Sequence, residues 1–231
     1  MPLQVIPRRD RKLNALIKVA TSMRYRKKEL IYQQGEASDV VLLVQDGHVC
    51  LTLPQTGGDG GRIVGIAGPR ELLGLEAVTL DVPRRYTAIA GSPCTVLPLN
   101  GAAVFKALRG SPKTLSQYLR SNDADLAEAR LISVSSGFSS KARIADVILD
   151  LGYRFGVDDG RRIKLDHWFT HHELGDLAGA HRSTVTTAIN DWIYDGVLKQ
   201  QSRGLIINKP GALRRAGTEL RRKPRRKPIS R

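Results

Sequence analysis

The sequence predicts an α+β chain: an N-terminal antiparallel β jelly roll, a long helix, and a C-terminal winged helix-turn-helix. Three observations predict it. Short apolar runs separated by turn residues fill residues 29–99. A long stretch without breakers follows Ser111-Pro112. A capped helix, a glycine turn, a second amphipathic helix and two short strands follow Phe169. The length of 231 residues suits two modest domains better than one. No stretch approaches the ~18 consecutive apolar residues of a membrane helix. The N-terminal Met-Pro-Leu-Gln-Val-Ile-Pro-Arg-Arg reaches positive charge without the apolar core of a secretory signal. A cytoplasmic protein with no membrane contact is expected.

The jelly roll comes from spacing. Leu30-Ile31-Tyr32, Val40-Val41-Leu42-Leu43-Val44, Val49-Cys50-Leu51-Thr52-Leu53, Ile63-Val64-Gly65-Ile66, Tyr86-Thr87-Ala88-Ile89-Ala90 and Thr95-Val96-Leu97-Pro98-Leu99 are strand-length and punctuated by turns. Asp46-Gly47 between two apolar runs is a hairpin signal. The glycine run 57–61 lacks the lysine and following helix of a phosphate loop and is expected to be a hairpin loop.

Ser111-Pro112 then supplies an N-cap and a proline at the first helical position. Leu115, Leu119, Asn122, Leu126 and Ala129 follow at alternating steps of four and three, the spacing of a coiled-coil seam. The same face would also serve to pack on the protein's own sheet, and spacing does not separate the two readings. From Lys141 the apolar residues Ala142, Ile144, Ala145, Ile148 and Leu149 form one helical face, and Ile163-Lys164-Leu165 reads as a small strand.

Thr170-His171-His172-Glu173 matches a capping box and opens a short helix with Leu174, Leu177 and Ala178 on one side. Gly179-Ala180 breaks it. A second helix from about Arg182 to Tyr194 would bury Val185, Ala188, Ile189, Trp192 and Ile193, which makes a helix-turn-helix. Its other face carries Arg182, Ser183, Thr186, Thr187 and Asn190, with Asp191 set back from the N-terminal turn that enters a major groove. Arg182 suits guanine O6 and N7, and the hydroxyls suit phosphates, base edges and thymine methyls. Thr170, His171 and His181 flank this face. Val197-Leu198-Lys199-Gln200 and Leu205-Ile206-Ile207 enclose Ser202-Arg203-Gly204 as a wing whose Arg203 suits a phosphate. Double-stranded DNA is the expected partner.

Charge points the same way. The net charge is +15, with balances of +8 in residues 1–28 and again in residues 213–231 around a mildly acidic middle. Basic ends favour polyanions, although they also serve solubility alone. Cys50 and Cys94, the only two cysteines, are expected to be reduced thiols and exclude a four-thiolate iron–sulfur cluster. His48 is the one histidine of the sensor half, so haem ligation has a single candidate there. His167 and His171 are four apart, but the helix starts only after Thr170, so no metal site is expected. His-Glu-x-x-His, Gly-x-Ser-x-Gly and dinucleotide fingerprints are absent, and no enzyme activity is expected.

On these residues the chain resembles the CRP/FNR superfamily of transcription regulators over roughly residues 29–210. Thr170 to Val185 carry the likeness to the family's helix-turn-helix, Asp46-Gly47 to its hairpin, and Leu73-Gly74-Leu75-Glu76 with Arg84-Arg85-Tyr86-Thr87-Ala88 to its ligand pocket. The stretch from Phe155-Gly156-Val157 to Leu165 and the wing most resemble the nitrogen-control (NtcA-like) branch. The resemblance implies a cyclic-nucleotide-binding-like jelly roll at residues 1–110, a dimerisation helix at 111–138, a winged helix-turn-helix at 139–212 and a basic disordered tail at 213–231. It also implies a homodimer on a two-fold-symmetric operator, in contact with RNA polymerase.

Ser183 stands where many members have glutamate and Thr187 where many have arginine, so a shifted operator preference is expected. Leu73, Gly74, Leu75, Glu76, Arg84 and Arg85 are the candidate effector residues. Gly74-Leu75 stands where cyclic-nucleotide binders have Gly-Glu, although Glu71 and Glu76 lie near. A carboxylate such as 2-oxoglutarate therefore fits better than a cyclic nucleotide, and a sensor without any ligand is the alternative. Two other readings are an architectural nucleic-acid binder acting through its tails, and a metabolite sensor whose helix-turn-helix contacts protein.

Overall fold

The computed structural model describes residues 11–54, 61–112, 115–116, 139–165, 169–201 and 204–218. The seam positions after residue 116, His167, Ser202-Arg203 at the wing tip, glycines 57, 58 and 60, and residues 219–231 lie outside the described residues. The chain forms two units, Met1–Ala127 and Glu128–Arg231.

The first unit contains α1 (Arg11–Val19), β1 (Met23–Tyr25), β2 (Leu30–Tyr32), β3 (Val40–Asp46), β4 (Val49–Leu53), β5 (Arg62–Ala67) and β6 (Leu72–Leu73). These are followed by α2 (Leu75–Leu80), β7 (Thr87–Ala90), β8 (Cys94–Asn100) and α3 (Gly101–Arg109). The strands make two four-stranded sheets, β1-β8-β3-β6 and β2-β7-β4-β5, and the pairings are antiparallel. This is the expected jelly-roll layering.

Strand β3 explains why its sequence is an unbroken apolar run. Leu42 and Val44 pack between the sheets with Tyr32, Val49, Ala88 and Val96. Val41 and Leu43 face the opposite way, into a cluster with Leu97, Leu99, Leu75, Val104 and Leu108. Side chains alternate along a strand, so a strand buried on both faces needs apolar residues at every position.

Leu13 of α1 is fully buried in that second cluster, with Leu16 and Ile17 packed against it. The basic N-terminal segment is thus partly structural and not only a charged end. The Asn100 side chain caps α3 by accepting from the Ala103 N–H at 2.9 Å. At Ser111-Pro112 a helix does begin, with the Leu115 N–H donating to the Ser111 carbonyl at 2.9 Å.

The hairpin expected at Asp46-Gly47 is corrected by the pairing. Strand β3 pairs with β8 and β6, while β4 pairs with β5 and β7. The turn is therefore a corner that carries the chain from one sheet to the other. Gly47 has φ 74°, and a Cβ there would lie 2.3 Å from the Pro93 carbonyl oxygen. The Asp-Gly signal reflects that left-handed, crowded position, which hairpins and corners share.

The second unit contains α4 (Ser140–Phe155), β9 (Val157–Asp158), β10 (Ile163–Leu165), α5 (His171–Ala178), α6 (Arg182–Tyr194), β11 (Leu198–Gln201), β12 (Gly204–Ile207) and α7 (Pro210–Thr218). The sheet order is β11-β12-β10-β9. Helix α4 starts on a Ser139 cap and buries Ala142, Ile144, Ala145, Ile148 and Leu149 as expected. The sequence reading ends this domain at residue 212 and treats residues 213–231 as tail. Helix α7 corrects that boundary. Pro210 occupies its first position, Leu213 is fully buried, and Arg214 Nη2 donates to the Tyr153 hydroxyl of α4 at 2.7 Å. Residues 213–218 belong to the folded domain, and the basic residues around Leu213 mask the apolar anchor.

The corner generates a prediction. Gly47→Ala adds a Cβ against backbone at a left-handed φ, and is expected to destabilise the first unit by about 1–3 kcal/mol. Denaturant unfolding of the full chain checks this, and an unchanged midpoint contradicts it.

Candidate nucleic-acid interface

The helix-turn-helix is built from short-range chemistry. Thr170 Oγ1 accepts from the Glu173 N–H at 3.2 Å, and Glu173 Oε2 accepts from the Thr170 N–H at 2.6 Å. This reciprocal pair closes the N-terminus of α5. Gly179 ends the helix at φ 59°, ψ 41°, with the Ala180 N–H reaching back to the Gly175 carbonyl at 2.8 Å. A Cβ on Gly175 would lie 2.7 Å from the Ala180 carbonyl oxygen. Both glycines are therefore required, one for its φ and one for close approach.

Helix α6 divides as its periodicity demands. Val185, Ala188, Ile189 and Trp192 are buried, and Ile193 is half-buried. Arg182, Ser183, Thr187 and Asn190 are exposed and Thr186 is half-buried. From Arg182 to Asn190 this face extends about 12 Å along the axis, a match for a major groove about 12 Å wide. Asp191 is engaged by Lys141 of α4 at 2.5 Å, which draws its charge toward the protein.

The polar side chains are already oriented. Thr186 Oγ1 donates to the Arg182 carbonyl at 3.0 Å, and Thr187 Oγ1 to the Ser183 carbonyl at 3.1 Å. With each hydroxyl hydrogen committed to the helix, the threonines offer methyls and oxygen lone pairs. Thr186 Oγ1 also meets His171 Nδ1 at 2.8 Å, so the ring nitrogen is the donor and the hydroxyl the acceptor. His181 is the N-cap of α6, and its Nδ1 accepts from the Ser183 N–H at 3.3 Å and meets Ser183 Oγ at 2.7 Å. In the neutral ring this places the hydrogen on Nε2. Burial, and then the Arg182 guanidinium, hold the His171 imidazole below its ordinary pKa.

Of the expected DNA-facing residues, Thr170, His171, His181, Arg182, Ser183, Thr186, Thr187 and Asn190 are gathered on α5, α6 and their two N-caps. Arg203 lies outside the described residues, but the strands that flank it pair antiparallel as a wing should, with Gln201 opposite Gly204. Thr170 works mainly as a cap. Sequence reasoning missed Arg143 and Lys141 of α4, which hold the motif from behind. Arg143 reaches a carbonyl 35 residues away, a separation that leaves no local sequence signal.

The candidate effector residues separate into two groups. Leu73 and Leu75 belong to the two core clusters, and Arg85 is exposed while Glu76 is half-buried. Gly74 caps α2 at φ 76°, and Arg84 is only 4% exposed. Its Nη2 donates to Ser38 Oγ at 2.8 Å and to the Val40 carbonyl at 2.5 Å, and its guanidinium stands 4.4 Å from the centroid of the Tyr32 ring. A Cβ on Gly74 would fall 1.2 Å from Arg84 Nη1. Among the described residues, Arg84 Nε and Nη1 are buried without a hydrogen-bond partner. Burial, then Glu76, raise the Tyr32 phenol above its usual range, with Arg84 pulling the other way.

Both cysteines are buried thiols, and burial with the Asp46 and Glu29 carboxylates pushes the Cys94 thiol up to about 11. His48 is 1% exposed, and a Cβ on Gly91 would lie 2.2 Å from its Nε2. Among the described residues, no helix is long and apolar enough to cross a membrane.

Residues 22–111 match the cyclic nucleotide-binding domain, and residues 142–216 match the Crp-like helix-turn-helix domain. The CRP-like cAMP-activated global transcriptional regulator of Mycobacterium tuberculosis is 23% identical over 209 residues, covering 87% of this chain and 90% of its own. The cyclic AMP receptor protein of Thermus thermophilus is 29% identical over 174 residues, covering 73% and 75%. In three dimensions FixK2 from Bradyrhizobium japonicum superposes with a TM-score of 0.70 at 23% identity, over 86% of this chain and 97% of its own. A cyclic nucleotide-binding jelly roll followed by a Crp-like winged helix, in one chain and in this order, places the protein in the CRP/FNR family of transcription regulators.

Proposed function

We propose that this chain acts in the cytoplasm as a homodimer that reads a two-fold-symmetric operator through α6 and contacts RNA polymerase, under control of a small anionic effector. The observation that carries the DNA reading is the exposed face of α6. It offers one arginine and several neutral hydrogen-bonding groups, has no carboxylate before Asp191, and begins at a helix N-terminus, which itself favours phosphate. Arg182 reads a guanine, Thr186 and Thr187 present methyls to thymine, and His181 and Ser183 serve the backbone phosphates. Ser183 and Thr187 replace the charged residues of many relatives, so the preferred half-site differs from theirs.

The effector reading rests on Arg84. A buried guanidinium with two unpartnered donor atoms costs several kcal/mol unless an anion completes it. The relatives' names include cAMP, but Leu75 stands where the ribose-binding acid would be. A compact dicarboxylate of the 2-oxoglutarate class fits the remaining chemistry better.

Three outcomes test this. Operator is first selected from a random duplex pool with the full-length protein. Arg182→Ala is then expected to lose about 1–3 kcal/mol of discrimination at one base position, measured by competition binding. Sequence preference left intact removes Arg182 as the reader.

The His171 imidazole is expected to titrate below the ordinary value of about 6.5, and Arg182→Ala to move it part of the way back. Because its folded pKa is lowered, its contribution to stability is present above the ordinary value and lost as pH falls through and below it. Proton NMR of the ring checks this, and a midpoint at or above the ordinary value contradicts it.

Thermal unfolding with 2-oxoglutarate or cAMP addresses the effector. The dicarboxylate is expected to raise the melting temperature, and Arg84→Met to abolish the rise. A rise with cAMP alone overturns the dicarboxylate assignment, and no rise with either supports the effector-independent regulator.

A further inference from the structure

We propose that Arg143, on the first turn of α4, is a positioning residue for DNA recognition: its guanidinium fork sets the turn from which Arg182 is launched. This rests on the reading of α6 as the recognition helix. Arg143 Nε donates to the Ala178 carbonyl at 2.7 Å, and its Nη2 to the Gly179 carbonyl at 2.9 Å. The same Nη2 meets Ser140 Oγ at 3.3 Å. Ala178 is the last residue of α5 and Gly179 the left-handed residue that ends it. Arg182 follows three residues later.

Those carbonyls belong to the group that a helix C-terminus leaves without intrahelical donors. A cation there is favoured by the helix dipole, and the planar fork binds two acceptors in one fixed geometry. Two positions before it on α4, Lys141 takes hold of the other end of α6. Its Nζ pairs with Asp191 and lies 5.7 Å from the Trp192 ring centroid. Alternate residues of one helical turn therefore hold the recognition helix at the turn before it and near its end. The Lys141–Asp191 pair is about half exposed and worth little stability alone. Its geometric effect, like that of Arg143, is on where α6 points.

The expected phenotype follows from exposure. The Gly179 carbonyl lies where water can replace the guanidinium, but the Ala178 carbonyl is part-buried and loses its donor, so losing the fork also lowers stability. It frees the angle between α5 and α6. Base readout tolerates only small displacements of the reading side chain, whereas phosphate attraction is diffuse.

The test uses the full-length protein and the operator that the wild type selects from random duplexes. Binding to operator and to random duplex is measured at one salt concentration. Arg143→Ala is expected to lower the operator-over-random ratio about tenfold, within what one bidentate base contact discriminates, at a temperature where thermal unfolding shows the variant still folded. Arg143→Lys keeps the charge but replaces the fork with a single ammonium. It is expected to keep random-duplex affinity within about twofold while losing part of the ratio. In an Arg182→Ala background, Arg143→Ala is expected to change the ratio less than about twofold, because both act through one contact.

An unchanged ratio, an equal loss on operator and random DNA, or additivity with Arg182→Ala overturns the positioning role. If Arg143→Ala does not fold, Arg143→Lys decides by the same criteria. If the wild type selects no motif, the DNA reading fails and this role with it. A wild-type motif erased by Arg182→Ala but kept by both Arg143 variants removes the positioning role alone.

Discussion

Burial of one stripe of α6 is the interaction on which the DNA-binding unit depends. Val185, Ala188, Ile189 and Trp192 are removed from water, and a side chain of the size of Val185 or Ile189 contributes roughly 1.5–3 kcal/mol when fully buried. That stripe fixes the rotation of the helix about its own axis. Once it is hidden, Arg182, Ser183, Thr187 and Asn190 have only the outside left to them. The polar face is a consequence of packing before it is a feature of recognition. The turn then fixes the remaining freedom. Gly175 permits the close approach, Gly179 supplies the left-handed φ, and Arg143 satisfies the carbonyls that the turn leaves open.

The sensor unit solves a different problem. A two-layer sandwich that also carries helices on one sheet must bury some strands twice. Strand β3 does so, with Leu42 and Val44 between the sheets and Val41 and Leu43 under the helices. Such a layer has no room for a solvated charge, yet Arg84 lies at its edge, nearly sealed, against the Tyr32 ring and the bare backbone of Gly74. Two acceptors and an aromatic face offset part of its desolvation. The remainder of that cost is the basis of the proposed anion site.

Legibility in the sequence followed the strength of local pattern. The strands β2, β3, β4, β5 and β8 announced themselves by apolar runs, and α5 and α6 by a capping box, a glycine and an i, i+3, i+4 stripe. Strand β1 did not. Met23-Arg24-Tyr25 is an exposed edge within a basic run, where an edge strand carries charge as protection. Helices α1 and α7 were hidden for a related reason. Each buries an apolar anchor, Leu13 and Leu213, among arginines and lysines whose charge dominates a reading by composition. Pro210 at the first position of α7 was the signal available for it. At Asp46-Gly47 the residue types were read correctly and the topology was not. A left-handed glycine dictates a reversal of the chain, but only the partners of β3 and β4 show that the two strands enter different sheets.

The two arginines central to this protein differ in surroundings more than in chemistry. Arg182 is exposed at the start of α6, where water screens it; an exposed guanidinium gains energy only against a correctly placed acceptor. Arg84 is desolvated by the packing around it, so its cost is already present in the fold. An exposed cation discriminates among partners by geometry, because solvent is always an acceptable substitute. A buried cation with unfilled donors has no such substitute and favours whatever anion can reach it. In the proposed reading the same guanidinium thus serves a selective contact in one unit and a ligand-dependent one in the other, and the difference lies in the burial of the surrounding side chains.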